Sequence, residues 1–303
     1  MHRLAVDRHA RHRLRVKRRV ALAKSGACAI ICNVGRIKTA KGAIGVEELG
    51  RIELAEDSDE VAPTPIVFLH GVGSDKSVWR PQLDYFAASR HAVALDYPGY
   101  GESDPADSDA DHDAFAASVL AAMDVLGIES AHICGLSLGG VVAIALHHAA
   151  PDRCASLILA DSFAAHPDGR GIFNRSVKAS RTMTMRELAE DRVDLLLAPN
   201  TNDALRDAVV DTMAAISPDA YRVGAHAVWL ADQRERLDSI HVPVLVIVGD
   251  QDHITPPMLS RDLTSRIAGS SLVEIAGAGH LTNIEQPAAF NAAVDQFLTA
   301  VAQ

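Results

Sequence analysis

The sequence predicts an α/β fold: a mostly parallel sheet of eight strands flanked by helices, with a helical cap inserted past its middle. Three observations carry that expectation. Short apolar runs ending in turn residues alternate with helical stretches, the rhythm of parallel strands joined by crossovers. The runs are continuously apolar, as strands covered on both faces must be. Between residues 167 and 235 the rhythm stops, and helical stretches separated by Pro and Asn replace it.

A chain of 303 residues, 48% of them apolar, holds one large domain or a core with a small insertion. Its formal net charge of −10 argues against general nucleic-acid binding. The charge is uneven. Residues 1–24 carry seven Arg and two Lys against one Asp, a local balance of +8. The four cysteines, Cys28, Cys32, Cys134 and Cys154, show neither metal-ligand spacing nor a disulfide framework. Cys134 and Cys154 sit in apolar runs as reduced core residues, which suits a cytoplasmic location. No apolar run reaches membrane-spanning length, so no membrane association is expected.

Residues 1–35 read as a basic extension, disordered or the product of a start assigned too far upstream. A basic stretch followed by an apolar one resembles a signal peptide, but Lys24 and Ser25 interrupt the apolar part and no persuasive cleavage site follows. Order is expected from Arg36. Residues 36–39 and 43–49 form a hairpin turning at Gly42. Ile66-Val67-Phe68-Leu69 is a short buried strand ending in His70-Gly71-Val72-Gly73. A helix over 79–89 and a strand over 91–95 lead into Asp96-Tyr97-Pro98-Gly99-Tyr100-Gly101-Glu102-Ser103, read as turn structure. The alternating aspartates at 107, 109, 111 and 113 fail as a calcium loop. His112 stands where the turn glycine should be and Ser118 where the bidentate glutamate should be. A helix over 114–126 and strands over 130–134 and 154–159 follow. The cap, 167–235, is expected to hold helices near 185–197, 203–215 and 218–232. The core, 36–166 and 236–303, resumes with strands over 242–248 and 271–275, a helix after Pro257 and a last helix over 287–301.

The chemistry centres on Ile133-Cys134-Gly135-Leu136-Ser137-Leu138-Gly139-Gly140. Strand, sharp turn and helix is the context that makes Gly-x-Ser-x-Gly a nucleophile elbow. A serine hydroxyl needs a base to take its proton and a partner to orient that base. Gly249-Asp250-Gln251-Asp252-His253 and Gly277-Ala278-Gly279-His280-Leu281 each follow a strand, in the chain order serine, acid, histidine. Residues just past the carboxyl ends of parallel strands converge on one crevice.

From about Arg36 onward the chain resembles the α/β-hydrolase superfamily. The resemblance rests on Phe68-Leu69-His70-Gly71, Asp96-x-Pro98-Gly99-x-Gly101-x-Ser103, Gly135-x-Ser137-x-Gly139, Gly249-x-x-Asp252, and Gly279-His280 followed by Asn283-x-Glu285-x-Pro287. It implies a Ser137, Asp252, His280 triad, with Asp250 and Asp161 as rivals for the acid. The backbone N–H groups of Val72 and Leu138 would form the oxyanion hole, and His70 would shape its loop. No metal or cofactor is implied; the expected partner is a small-molecule substrate, and homo-oligomerisation is left open.

Within the superfamily the chain is most similar to 3-oxoadipate enol-lactonases, through Cys134-Gly-Leu-Ser137, Asp232-Gln-Arg234, Thr255-Pro256-Pro257 and His280-Leu-x-Asn-Ile-Glu285-Gln-Pro287. That similarity implies an ester or lactone hydrolase working through an acyl-enzyme on a small anionic substrate. Arg175 and Arg181 are its candidate cap cations, with ordinary solvated helix charges as the alternative, and Trp229 is a third candidate contact. Other readings are a carbon–carbon bond hydrolase of ring-fission products, which Leu136 disfavours because such relatives often carry Asn there, an acyltransferase or perhydrolase, and a triad-bearing ligand sensor without turnover.

Overall fold

The computed structural model describes residues 19–22, 28–53 and 63–302. Among these residues nine strands form one sheet: β1 (Arg19–Leu22), β2 (Cys28–Thr39), β3 (Gly42–Glu53), β4 (Ile66–Leu69), β5 (Ala92–Leu95), β6 (Ala131–Leu136), β7 (Cys154–Ala160), β8 (Val244–Gly249) and β9 (Ser271–Ile275). Their spatial order is β1-β2-β3-β5-β4-β6-β7-β8-β9. Pairing is parallel from β5 through β9 and antiparallel among β1, β2, β3 and β5. The eight expected strands are β2–β9, and β1 adds an edge.

The hairpin is longer than expected. Strand β2 begins at Cys28, not at Arg36, because residues 28–35 continue in register with residues 46–53 of β3. The apolar Ala29-Ile30-Ile31 run gives that stretch strand propensity. The disorder expected for residues 1–18 lies outside the described residues.

Every residue of β4, β5, β6 and β8 is buried. Successive side chains point to opposite faces, so both faces are covered. The core helices are α1 (Arg80–Phe86), α2 (His112–Leu126) and α3 (Leu138–Ala149). Helix α3 lies over β4, β6 and β7 and against α2, while α1 packs on β3 and β5. The cap holds four helices rather than three: α4 (Gly169–Thr182), α5 (Met185–Leu196), α6 (Asp203–Ala214) and α7 (Pro218–Trp229). Thr184 starts α5 with a capping box closed by Glu187. The core resumes with β8, α8 (Pro257–Arg266), β9, α9 (Thr282–Glu285) and α10 (Pro287–Val301).

The turn after β5 is structural, as its sequence suggested. Asp96 is buried and takes the Lys76 ammonium at 2.7 Å and the amides of Lys76 and Glu102 at 2.8 and 3.0 Å. Ser103 Oγ donates to the Asp96 carbonyl at 3.0 Å and accepts the Gly45 amide at 2.9 Å, tying this turn to β3.

Candidate active site

Ser137 joins β6 to α3 at φ 54° and ψ −113°, a conformation few L-residues adopt. Its amide donates to the Ala160 carbonyl at 2.8 Å, and its own carbonyl takes the Ser162 hydroxyl at 2.8 Å. The flanking glycines are required by close approach. A Cβ on Gly135 would stand 2.1 Å from the Gly139 carbonyl oxygen, and one on Gly139 would stand 2.0 Å from that of Leu69. Leu138 is the first residue of α3, so the helix offers its N–H no partner.

His280 follows β9 and is almost fully buried. Its Nδ1 lies 2.9 Å from Asp252 Oδ2. Asp252 in turn accepts the Ile254 and Thr255 amides at 2.8 and 2.9 Å and the Thr255 hydroxyl at 2.7 Å. Burial works against the Asp252 charge. The His280 charge and hydrogen bond, with the bonds from Thr255, outweigh it and hold the carboxyl below its usual range. The bond to Asp252 takes the Nδ1 proton and leaves the Nε2 lone pair free to accept one.

Asp250, one rival acid, turns away to take the Gly277 amide at 2.8 Å. Asp161, the other, sits at the end of β7 with φ 47°. It accepts the Gly249 amide at 2.9 Å and bonds the Thr282 hydroxyl, without touching His280. Burial, and then the Asp252 charge, push its carboxyl well above the carboxylate range.

His70 is fully buried between Tyr97 and Tyr100, with ring centroids 4.6 and 5.0 Å away. Its Nδ1–H donates to the Gly71 carbonyl at 2.8 Å, and its Nε2 accepts the Tyr97 amide. Burial lowers its pKa, so it stays neutral and fixes the loop. That loop passes beside the elbow: a Cβ on Gly71 would lie 4.0 Å from Ser137 Oγ.

Ser137, His280, Val72 and Trp229 all line one pocket. Trp229 is buried and stacks on Phe163 at 5.8 Å. Arg175 and Arg181 do not line it. Arg175 is exposed and paired with Asp168 at 2.7 Å, and Arg181 faces a separate open cavity of about 750 Å³ between α4, α7 and the loop after β5. The cation that does line the Ser137 pocket is Arg192 of α5. Among the described residues no carboxylate pairs with it. The sequence held a signal for it. Residues 185, 188, 189, 193 and 196 form the buried stripe of α5, and position 192 falls on that stripe. An arginine there points inward with the apolar face.

Glu285 was a motif residue without an assigned role. Its carboxylate takes the Gly279 amide at 2.9 Å on one oxygen and the Ala198 amide and Thr201 hydroxyl at 2.7 and 2.8 Å on the other. It fastens the His280 loop to the segment following α5, where the His280 amide also donates to the Leu196 carbonyl at 2.8 Å. Among the described residues no cluster of ligating side chains suits a metal ion, and no helix is long and apolar enough to cross a membrane.

Comparison with known proteins agrees with this architecture. A family model described as the alpha/beta hydrolase family matches residues 66–293. A pimeloyl-[acyl-carrier protein] methyl ester esterase of Neisseria meningitidis is 31% identical over 248 residues, covering 78% of this chain and 77% of that protein. The 3-oxoadipate enol-lactonase 1 of Acinetobacter baylyi is 31% identical over 233 residues, covering 76% and 86%. Among solved structures, the enol-lactonase from Burkholderia xenovorans LB400 superposes with a TM-score of 0.80 at 27% identity, covering 88% of this chain and all of that one. With the family model spanning residues 66–293 and two relatives at 31% identity, this chain belongs to the alpha/beta hydrolase family.

Proposed function

We propose that the protein is a serine hydrolase that cleaves an ester or lactone of a small, negatively charged substrate through an acyl-enzyme. The observation that carries this reading is that Ser137, on its strained elbow, and His280, held by Asp252, face one pocket. His280 Nε2 takes the Ser137 proton as the oxygen attacks the carbonyl. The Asp252 charge stabilises the imidazolium that forms. The Val72 and Leu138 amides receive the oxyanion. His280 gives its proton to the leaving alcohol or enol, then activates the water that releases the acid.

Arg192 replaces Arg175 and Arg181 as the candidate anion partner. It lines the pocket, and among the described residues no carboxylate pairs with it. A substrate carboxylate near the reacting carbonyl would give it a charge-assisted bond. The names of the relatives, an ester hydrolase and enol-lactonases, favour the same bond class.

The test uses p-nitrophenyl acetate and a panel of carboxylated and neutral lactones. Ser137→Ala is expected to lower kcat on the order of 10⁴-fold or more, with the fold intact by circular dichroism. A phosphonate probe should add its mass to Ser137 in the parent protein. Unchanged turnover by Ser137→Ala rejects the nucleophile. For Arg192→Met, KM should rise about 10- to 100-fold for carboxylated substrates and little for neutral ones. Equal effects on both would remove the anion-binding role.

A further inference from the structure

The pocket around Ser137 is closed to about 30 Å³, room for two waters or so at ~10–15 Å³ each. An ester with its leaving group does not fit there alone. A second cavity, of about 190 Å³, adjoins it and shares Gly73, Ser74, Val209 and Leu281 with it. Val209 of α6 and Leu281, next to His280, line both spaces. The second is lined further by Leu205 and Ala208 of α6 and by Val78 and Ile284 of the core. Among the described residues no charged side chain lines this second space. It reaches the surface, since Ala208 and Ser77 on its walls are exposed.

The contrast with the rest of the cap is chemical. The larger cavity on the α4 and α7 side is lined by Arg181, Asp219, Arg222 and His226 and does not include Ser137. Arg192, the cation that lines the nucleophile pocket, does not line the channel under α6. A polar group near the reacting carbonyl therefore has its partner inside, and only an uncharged group gains by lying in the channel.

We infer that the channel between α6 and residues 73–78 holds an apolar arm of the substrate, a linear alkyl or arylalkyl chain running from the carbonyl at Ser137 out to solvent. This rests on the reading of Ser137 as the nucleophile. It makes the substrate amphipathic: a charged or polar group inside, against Arg192, and a chain passing outward between Val209 and Leu281. The chain is recognised by burial alone, so affinity should climb with length until it emerges at Ala208.

Chain-length series test this. For p-nitrophenyl acetate, butyrate and hexanoate, and for ethyl, butyl and hexyl acetate, kcat/KM is expected to rise in at least one series, by roughly two- to fourfold per added methylene. Ala208→Phe, placed at the open end, should cut the hexyl-to-ethyl or hexanoate-to-acetate ratio about tenfold. A flat or falling profile in both series would overturn the inference. So would an Ala208→Phe protein that slows short and long esters in the same proportion. Binding to Ser137→Ala gives a readout without turnover: by calorimetry, hexyl acetate should bind at least tenfold more tightly than ethyl acetate, and adding Ala208→Phe should remove the difference. Equal binding of the two esters would reject the channel. Full turnover by Ser137→Ala would instead reject the nucleophile, whatever the chain-length ratio.

Discussion

Asp161 and Asp252 are two carboxyls packed into the same buried space behind His280, and they cannot both carry charge cheaply. The hydrogen bonds divide their duties. Asp252 collects two amides, a hydroxyl and the imidazole, all donors that favour an anion. Asp161 has the Gly249 amide and the Thr282 hydroxyl and amide but no imidazole, is fully buried, and carries the raised pKa of the pair. The surroundings therefore favour negative charge on Asp252 and disfavour it on Asp161. Substitution by asparagine reads this directly, because Asn mimics a protonated carboxyl and not an ionised one. Asp161→Asn should keep kcat within about tenfold of the parent, whereas Asp252→Asn should lose roughly 10³- to 10⁴-fold by withdrawing the charge that orients the imidazole. Steady-state rates on p-nitrophenyl acetate decide. Equal collapse of both variants would reject this division of roles, and collapse of Asp161→Asn alone would reverse it.

Glu285 links two elements that the sequence keeps far apart, the His280 loop and the end of α5. Both of its oxygens are filled by donors, so a glutamine turns its NH₂ toward an N–H and leaves a buried donor unmet. That costs about 1–3 kcal/mol for each group stranded. Glu285→Gln is expected to be nearly as damaging as Glu285→Ala. Both should lower the melting temperature by several degrees and kcat/KM at least tenfold, since the clamp sets the position of the His280 backbone. A glutamine variant that melts and turns over like the parent would reduce Glu285 to a surface acid. The same elements show what the chain disclosed and what it hid. The strand-end placement of Ser137, Asp252 and His280 was legible because each lies in a short glycine-containing motif, where local sequence dictates local geometry. Helix α4 was not legible. Its Gly169-Arg170-Gly171 start argues against a helix, and its apolar residues Ile172, Phe173 and Ala179 are only partly buried, with Ser176 and Ser180 filling the rest of the inward face. Arg175 and Arg181 lie on that helix, the first paired with Asp168 and the second facing a different cavity. Arg192 was readable only from the buried stripe of its own helix. The extra length of β2 and β3 depended on a pairing partner that propensity alone does not supply.

For the molecule as a whole, the sheet's buried histidines set how it meets acid. His132 of β6 is 5% exposed and holds Ser156 of β7 through Nδ1 at 2.8 Å. Burial, with a smaller contribution from the Arg90 charge, takes its pKa down to about 4. His70, His147 and His166 are lowered too, each chiefly by burial. A histidine depressed in the folded state binds its proton more readily once the chain unfolds, where its pKa is about 6.5. Its contribution is thus fully present above about pH 6.5 and is lost as pH falls towards the folded value of about 4. For His132 alone, the loss between pH 7 and pH 5 comes to about 2 kcal/mol. Urea titrations at the two pH values measure it. His132→Gln lowers overall stability by disturbing the strand pair, so the quantity to compare is the pH difference within each protein. The parent should lose about 2 kcal/mol more than the variant on going from pH 7 to pH 5. If both proteins lose the same amount, the acid sensitivity of the fold lies elsewhere than between β6 and β7.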